Sequence, residues 1–262
     1  MQVTDKAYKE HKVFAELDRY SKFYKQLAMS VFQFVTMGTK ATYNIDTYAY
    51  SSMHGTLESI KIILHAGRIN DAYALLRKYY DSAVINVYST LYLKENFSIE
   101  KFIVEKINNW LQGNETLPAY RVMSQYIRAS ERLKPINDLL YGDDKYKRLR
   151  DRCNDHTHYN FYRYVMLNDN EIHVENRGQL LERFRRDAQD IFALHLGYVF
   201  FLNDHYMMSS DYLDALECNM QPEENSQYWV APFIQDIFNE VITPERPDIT
   251  AAIKANCAMQ LS

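Results

Sequence analysis

Apolar positions recur at steps of three and four along most of the chain, a spacing that places them on one face of an α-helix. Phe14, Leu17, Tyr20, Tyr24, Leu27, Val31 and Phe34 form one such stripe and predict a helix over about 6–37, with Gly38 as its stop. Leu57, Ile60, Ile63 and Leu64 predict a second over about 45–66, capped by Asn44 or Asp46 and closed by Gly67. Ala72, Leu75, Leu76, Tyr79, Ala83 and Val87 give the inward face of a third, entered through Gly67-Arg68-Ile69. So brief a turn predicts an antiparallel αα-hairpin. Further helices are expected over about 98–111, then from Pro118 to Tyr141 with a bend or break at Pro135, and then over 145–163 behind Gly142-Asp143-Asp144. The last three are expected over about 179–202, 230–242 and 249–260. The one β signal is Tyr164-Val-Met-Leu, a polar loop Asn168-Asp169-Asn170, and Glu171-Ile-His-Val-Glu, which predicts a small β-hairpin near 164–175.

The expected fold is therefore all-α: a multi-helix antiparallel bundle with one small hairpin. Only 7 glycines and 6 prolines in 262 residues agree, because all-β folds spend many turn residues. No linker or repeat divides the chain, so a single helical domain over 1–262 is expected, with its core at about 45–202 and a C-terminal helical extension at about 228–262. The 22 tyrosines and 13 phenylalanines read as packing residues, the tyrosines keeping their hydroxyl tips hydrogen-bonded. A net charge of −4 does not advertise nucleic acid, so any such site must be a local basic patch. Cys153, Cys218 and Cys257 are an odd set without CxxC spacing and suggest reduced thiols in the cytoplasm. The opening residues lack an apolar signal segment, and no apolar run approaches the ~20 residues that span a bilayer. No membrane association and no cofactor are expected.

The chemistry lies in one stretch. From Lys145 to Arg152, five of eight residues are basic, and His156 and His158 follow at once, flanked by Asn154, Asp155 and Asn160. On a helix, Arg148, Arg152 and His156 share a face, Arg150 and Asn154 a neighbouring one, and Asp151, Asp155 and His158 another.

Arg150-Asp151-Arg-Cys-Asn-Asp-His156 resembles the motif of the HEPN superfamily of helical nucleases and nucleotide-binding proteins: an Arg, often followed at once by a polar residue, and a His separated from that Arg by four to six residues, here five. Arg152 to His158 has the same spacing, but Cys153 is a poorer second residue. The stretch Gly67-Arg-Ile-Asn-Asp-Ala72-Tyr-Ala-Leu-Leu-Arg77 is similar to segments of helical proteins from bacterial defence loci. The resemblance implies metal-independent RNA cleavage, in phage defence or a toxin system. His156 would be the general acid/base and Arg150 the phosphate clamp, with Asp151 and Asn154 orienting them. Lys145, Lys147, Arg148, Arg152, His158 and Tyr159 would hold RNA, with tRNA among the candidate targets, and Arg183, Arg185 and Arg186 would extend the patch. Tyr159 and Tyr162 would stack on bases. The resemblance also implies a homodimer, and an antitoxin or defence-system partner.

Blander readings fit the same residues. An Arg-rich helix start is often only a solvated face, with the histidines satisfied by Asp155 or Asn160. A metal at His156 and His158 lacks a third ligand, and on a helix the two rings point to different faces. A non-catalytic helical module binding RNA, a nucleotide or a protein partner is the main alternative, and a purely structural oligomerisation protein is a third. Arg77 and Asp81 read as an ion pair tied to Glu58, with a role lining a site as the lesser alternative. Residues 203–211 read as a pocket lining or a locally capped helix end.

Overall fold

The computed structural model describes residues 1–35, 38–39, 44–169, 176–220 and 229–261. Helices run through Lys6–Lys9 (α1), Lys12–Val31 (α2), Ile45–His65 (α3), Ile69–Asn96 (α4), Glu105–Leu111 (α5), Tyr120–Ala129 (α6) and Lys134–Leu140 (α7). They continue through Lys145–Thr157 (α8), Tyr162–Val165 (α9), Arg177–Leu202 (α10), Ser210–Glu217 (α11), Pro232–Ile237 (α12), Thr243–Glu245 (α13) and Pro247–Asn256 (α14). Among the described residues there is no strand, only an isolated antiparallel bridge between Met208 and Val230. The all-α expectation holds. Among the same residues, no helix is long and apolar enough to cross a membrane.

The expected hairpin is corrected in its first arm. Tyr162–Val165 is helical and Met166–Asn168 continues as a 3-10 turn. Tyr164 and Leu167, three residues apart, are the two buried there, so burial follows a helical period rather than alternation. The second arm, 171–175, lies outside the described residues. Several helix boundaries also move, among them the end of the helix expected over 145–163, which stops at Thr157. The first long helix is split, α1 from α2. The helix expected from 98 begins only at Glu105. The break expected at Pro135 comes at Ser130, whose backbone is extended, while Pro135 sits in the first turn of α7, where its missing N–H costs nothing.

The chain forms two compact units, each made of three separate stretches: 1–25, 50–83 and 143–192 in the first, 26–49, 84–142 and 193–262 in the second. The first unit is built around aromatic rings. Phe192 stacks on Tyr20 at 4.2 Å and takes Phe23 and Tyr24 edge-on at 5.5 and 5.6 Å. The buried tyrosines keep their hydroxyls bonded, as their use in cores requires: Tyr8 donates to the Leu64 carbonyl at 2.5 Å, and the Tyr24 and Tyr79 hydroxyls pair at 2.9 Å.

The second unit buries an aliphatic core, with Leu91, Ile107, Ile136, Leu196, Ile234, Ile242, Ile249 and Ile253 all inaccessible or nearly so. Gly197 lets α10 approach its neighbours there: a Cβ on it would meet Ile249 at 3.4 Å and Ile136 at 3.5 Å. A polar network also runs through this unit. The Asp46 carboxylate accepts from Asn86 at 2.7 Å, Thr90 at 2.9 Å and Tyr206 at 2.7 Å, and the Asn86 side-chain oxygen lies 2.8 Å from Nε2 of His195. Asp46 is thus a buried acceptor, while Asn44 caps α3 by accepting from the Thr47 amide at 3.1 Å.

Candidate functional site

Helix α8 holds the sequence-predicted residues and belongs wholly to the first unit. Tyr146, Leu149, Cys153 and His156 are its buried residues, a spacing of three and four that anchors the helix by one face. Burial also pushes the Cys153 thiol up, so it is an inert packing group. Every other face of α8 is polar, and the structure sends each in a different direction.

On one flank, Arg150 and Asn154 meet α4. Arg77 donates from Nε to both Asp81 oxygens at 3.0 Å and from Nη1 to the Asn154 side-chain oxygen. Arg150 Nε lies 3.9 Å from the same Asp81 carboxylate. Two guanidinium groups and one carboxylate are therefore gathered with a side-chain amide, all partly buried but none closed off from solvent. Glu58, expected to join Arg77, instead faces His54 at 3.5 Å on its own helix, so that expectation is corrected. His158 follows one turn after Asn154, its amide donating to the Asn154 carbonyl at 2.9 Å, and its side chain is exposed.

On the other flank, Arg152 and Lys145 meet α10. Arg152 forks onto Asp187 at 2.7 and 2.8 Å, and the Tyr73 hydroxyl donates to the same carboxylate at 3.1 Å. Lys145 reaches Asp190 at 2.5 Å. Outward, Lys147 pairs with Asp151 at 3.0 Å within the helix. Arg148 and Tyr159 are exposed, the latter in a left-handed conformation with φ 50° just past the helix end. Asp151 therefore contacts Lys147 rather than orienting Arg150 or His156. Of the arginines expected to extend the patch, Arg185 pairs with Glu16 and Glu182, and Arg186 with Glu182; Arg183 alone of the three has no ion pair among the described residues.

His156 is almost wholly buried. Its ring stacks on Tyr73 with centroids 3.9 Å apart and lies 4.0 Å from the ring of Tyr164, and Nδ1 is 2.9 Å from the Asn70 side-chain oxygen. Burial, and then the positive charges of Arg152, Arg163 and Arg183, lower its pKa to about 3. The imidazole is therefore neutral at physiological pH, with its proton on the nitrogen facing Asn70. Arg150 and His156 do not converge: one faces Asp81, the other Asn70 and two tyrosines.

No family model, curated protein or solved structure matches this chain.

Two cavities complete the picture. One of about 520 Å³ opens beside His156, lined also by Arg163, Tyr164, Asn176, Gln179 and Arg183. The other, about 320 Å³, lies in the second unit and is lined by Asp46, Lys94, Asn203, His205 and Tyr206 among others. It gives the segment 203–211 both of its expected roles, since Ser209 also caps α11 by accepting from the Tyr212 amide at 3.3 Å. No group of three metal-ligating side chains occurs among the described residues.

Asn70, Tyr73, Asp81, Tyr164 and Asp187 were not in the sequence-predicted site. Asp187 had a legible signal: it sits in register with Phe184 and Ile191 on the buried stripe of α10, where an acid needs a partner. Nothing in the sequence named that partner as Arg152.

Proposed function

We propose that this chain binds RNA and cleaves it without a metal, in a homodimer, at the seam where α8 meets α4. The observation that supports this best is the gathering of Arg77, Asp81, Arg150 and Asn154, with exposed His158 at the C-terminal end of the same helix, four residues beyond Asn154. Two guanidinium groups beside one carboxylate, Arg77 hydrogen-bonded to it and Arg150 at 3.9 Å, keep a net positive charge, which suits a phosphodiester and the extra charge it gains as the 2′ oxygen attacks. His158 moves the proton in this reading, replacing the role expected of His156, whose neutral ring is shut in among tyrosines. The 2′-OH loses its proton to the histidine, the P–O5′ bond breaks, and the second copy's histidine protonates the departing 5′ oxygen. The product is a 2′,3′-cyclic phosphate. Lys147, Arg148 and Tyr159 are the exposed groups that would hold flanking RNA. A role in phage defence or as a toxin, with a cognate antitoxin or defence partner, rests on the HEPN resemblance alone.

A second reading is favoured by a different observation. Arg152 is closed onto Asp187 and His156 onto Asn70, so one member of each Arg–His pair is internally satisfied. A binding module without catalysis fits that economy. Incubation with total tRNA and mixed-sequence RNA in EDTA separates the two. Cleavage by the wild type is expected, with His158→Ala reducing the rate by at least ~100-fold while RNA binding persists, and Arg150→Ala weakening both. RNA binding without any cleavage, indifferent to His158→Ala, would select the binding module.

A further inference from the structure

We propose that the cavity beside His156 is a binding site for a small organic oxyanion, a phosphate or carboxylate carried on a flat apolar body. The cavity lies beside His156 and is lined by none of Arg77, Asp81, Arg150 and Asn154, so this inference stands apart from the RNA reading. At about 520 Å³ it falls within the size range of small-molecule sites. Its charge balance is one-sided: Arg163 and Arg183 line it, and no carboxylate does among the described residues. Neither arginine has an ion pair among those residues, whereas Arg185 and Arg186 nearby are spoken for by Glu16 and Glu182.

Among the described residues, Arg163 is positioned by uncharged groups. It donates from Nη2 to the Tyr164 hydroxyl at 3.0 Å, and its guanidinium lies 4.9 Å from the Tyr164 ring centroid and 5.2 Å from that of Phe161. Stacking of this kind fixes the plane of the fork and leaves its remaining N–H groups for an acceptor. The rest of the lining suits the body of such a ligand. Tyr73, Tyr164 and the neutral His156 ring bring flat faces, and Leu167 and Leu180 bring aliphatic surface. Gln179 and Asn176 add neutral donors and acceptors. With the His156 proton directed to Asn70, Nε2 is left as an acceptor for a ligand N–H or O–H.

Phenyl phosphate and benzoate are the probes, read by titration calorimetry against inorganic phosphate and phenol. At least one of the two aromatic anions is expected to bind saturably, roughly tenfold or more tighter than inorganic phosphate or phenol, because head and body both contribute. Arg163→Gln and Arg183→Gln should each weaken it by about tenfold, the scale of one charge-assisted hydrogen bond. Arg186→Gln, on the same helix but paired with Glu182, should leave it unchanged. Circular dichroism on each variant separates lost binding from lost folding. No saturable binding by the folded wild type at roughly millimolar probe, or binding that survives both glutamine substitutions, would overturn the inference.

Discussion

His195 is wholly buried in α10, with Asn86 hydrogen-bonded to its Nε2 at 2.8 Å, and burial lowers its pKa from 6.5 to about 3. The unfolded chain, with an ordinary histidine, takes up a proton between those two values and the folded chain does not. Stability is therefore full above pH 6.5 and falls as the pH drops from 6.5 towards 3. His156, lowered to about 3 as well, acts in the same direction. His195→Leu should cost stability at pH 7 through the orphaned Asn86. That cost should shrink by about 2 kcal/mol at pH 5, where the wild type carries its own penalty: keeping a histidine neutral costs about 1.4 kcal/mol for each pH unit below its ordinary pKa. Urea unfolding at the two pH values reads the difference; a cost equal at both would show that His195 is not held neutral. Residue identities alone said little of this. His156 falls in register with Tyr146, Leu149 and Cys153 and His158 does not, but that spacing names no partner for either ring. The partners are Tyr73 and Tyr164, which close over the His156 ring only.

The turn between α3 and α4 shows where element-scale reading succeeds. Gly67 has φ +79°, its amide donates to the Leu64 carbonyl at 2.8 Å, and the Arg68 amide reaches back to the Ile63 carbonyl at 3.1 Å. This paired closure ends an α-helix with a left-handed residue, for which glycine has no Cβ penalty. Gly67→Ala should therefore destabilise the protein by about 1 kcal/mol, seen as a lowered urea midpoint at unchanged m value. An unchanged midpoint would mean that the turn relaxes elsewhere. Helix existence was legible for α2, α3 and α4, whose apolar stripes are long enough to repeat. Helix ends and the segment around α9 were not. Tyr164-Val-Met-Leu is β-branched and aromatic enough to read as a strand, yet Tyr164 packs against His156 and Phe161, and those contacts select a helical turn.

At the scale of the whole chain, neither compact unit is continuous in sequence. The first draws 143–192, and with it α8 and most of α10, from far along the chain. Without that stretch, Tyr20, Phe23 and Tyr24 lose Phe192, and Tyr73 loses Asp187 and His156. A fragment ending at Gly142 should accordingly lack a cooperative thermal transition by circular dichroism, whereas a self-sufficient first half would melt sharply. Periodicity and the scarcity of glycine and proline were enough to determine an all-α protein, the antiparallel joint at Gly67, and the shared face of Arg150 and Asn154. These depend on spacing along one helix, which the order of residues states directly. Only the tertiary structure decided that Arg152 is consumed by Asp187, that Arg150 stands beside Arg77 and Asp81, and that His156 is sealed while His158 is open. Those outcomes depend on which helix lies against which flank of α8, and partners 35 to 86 residues away leave no mark in local spacing.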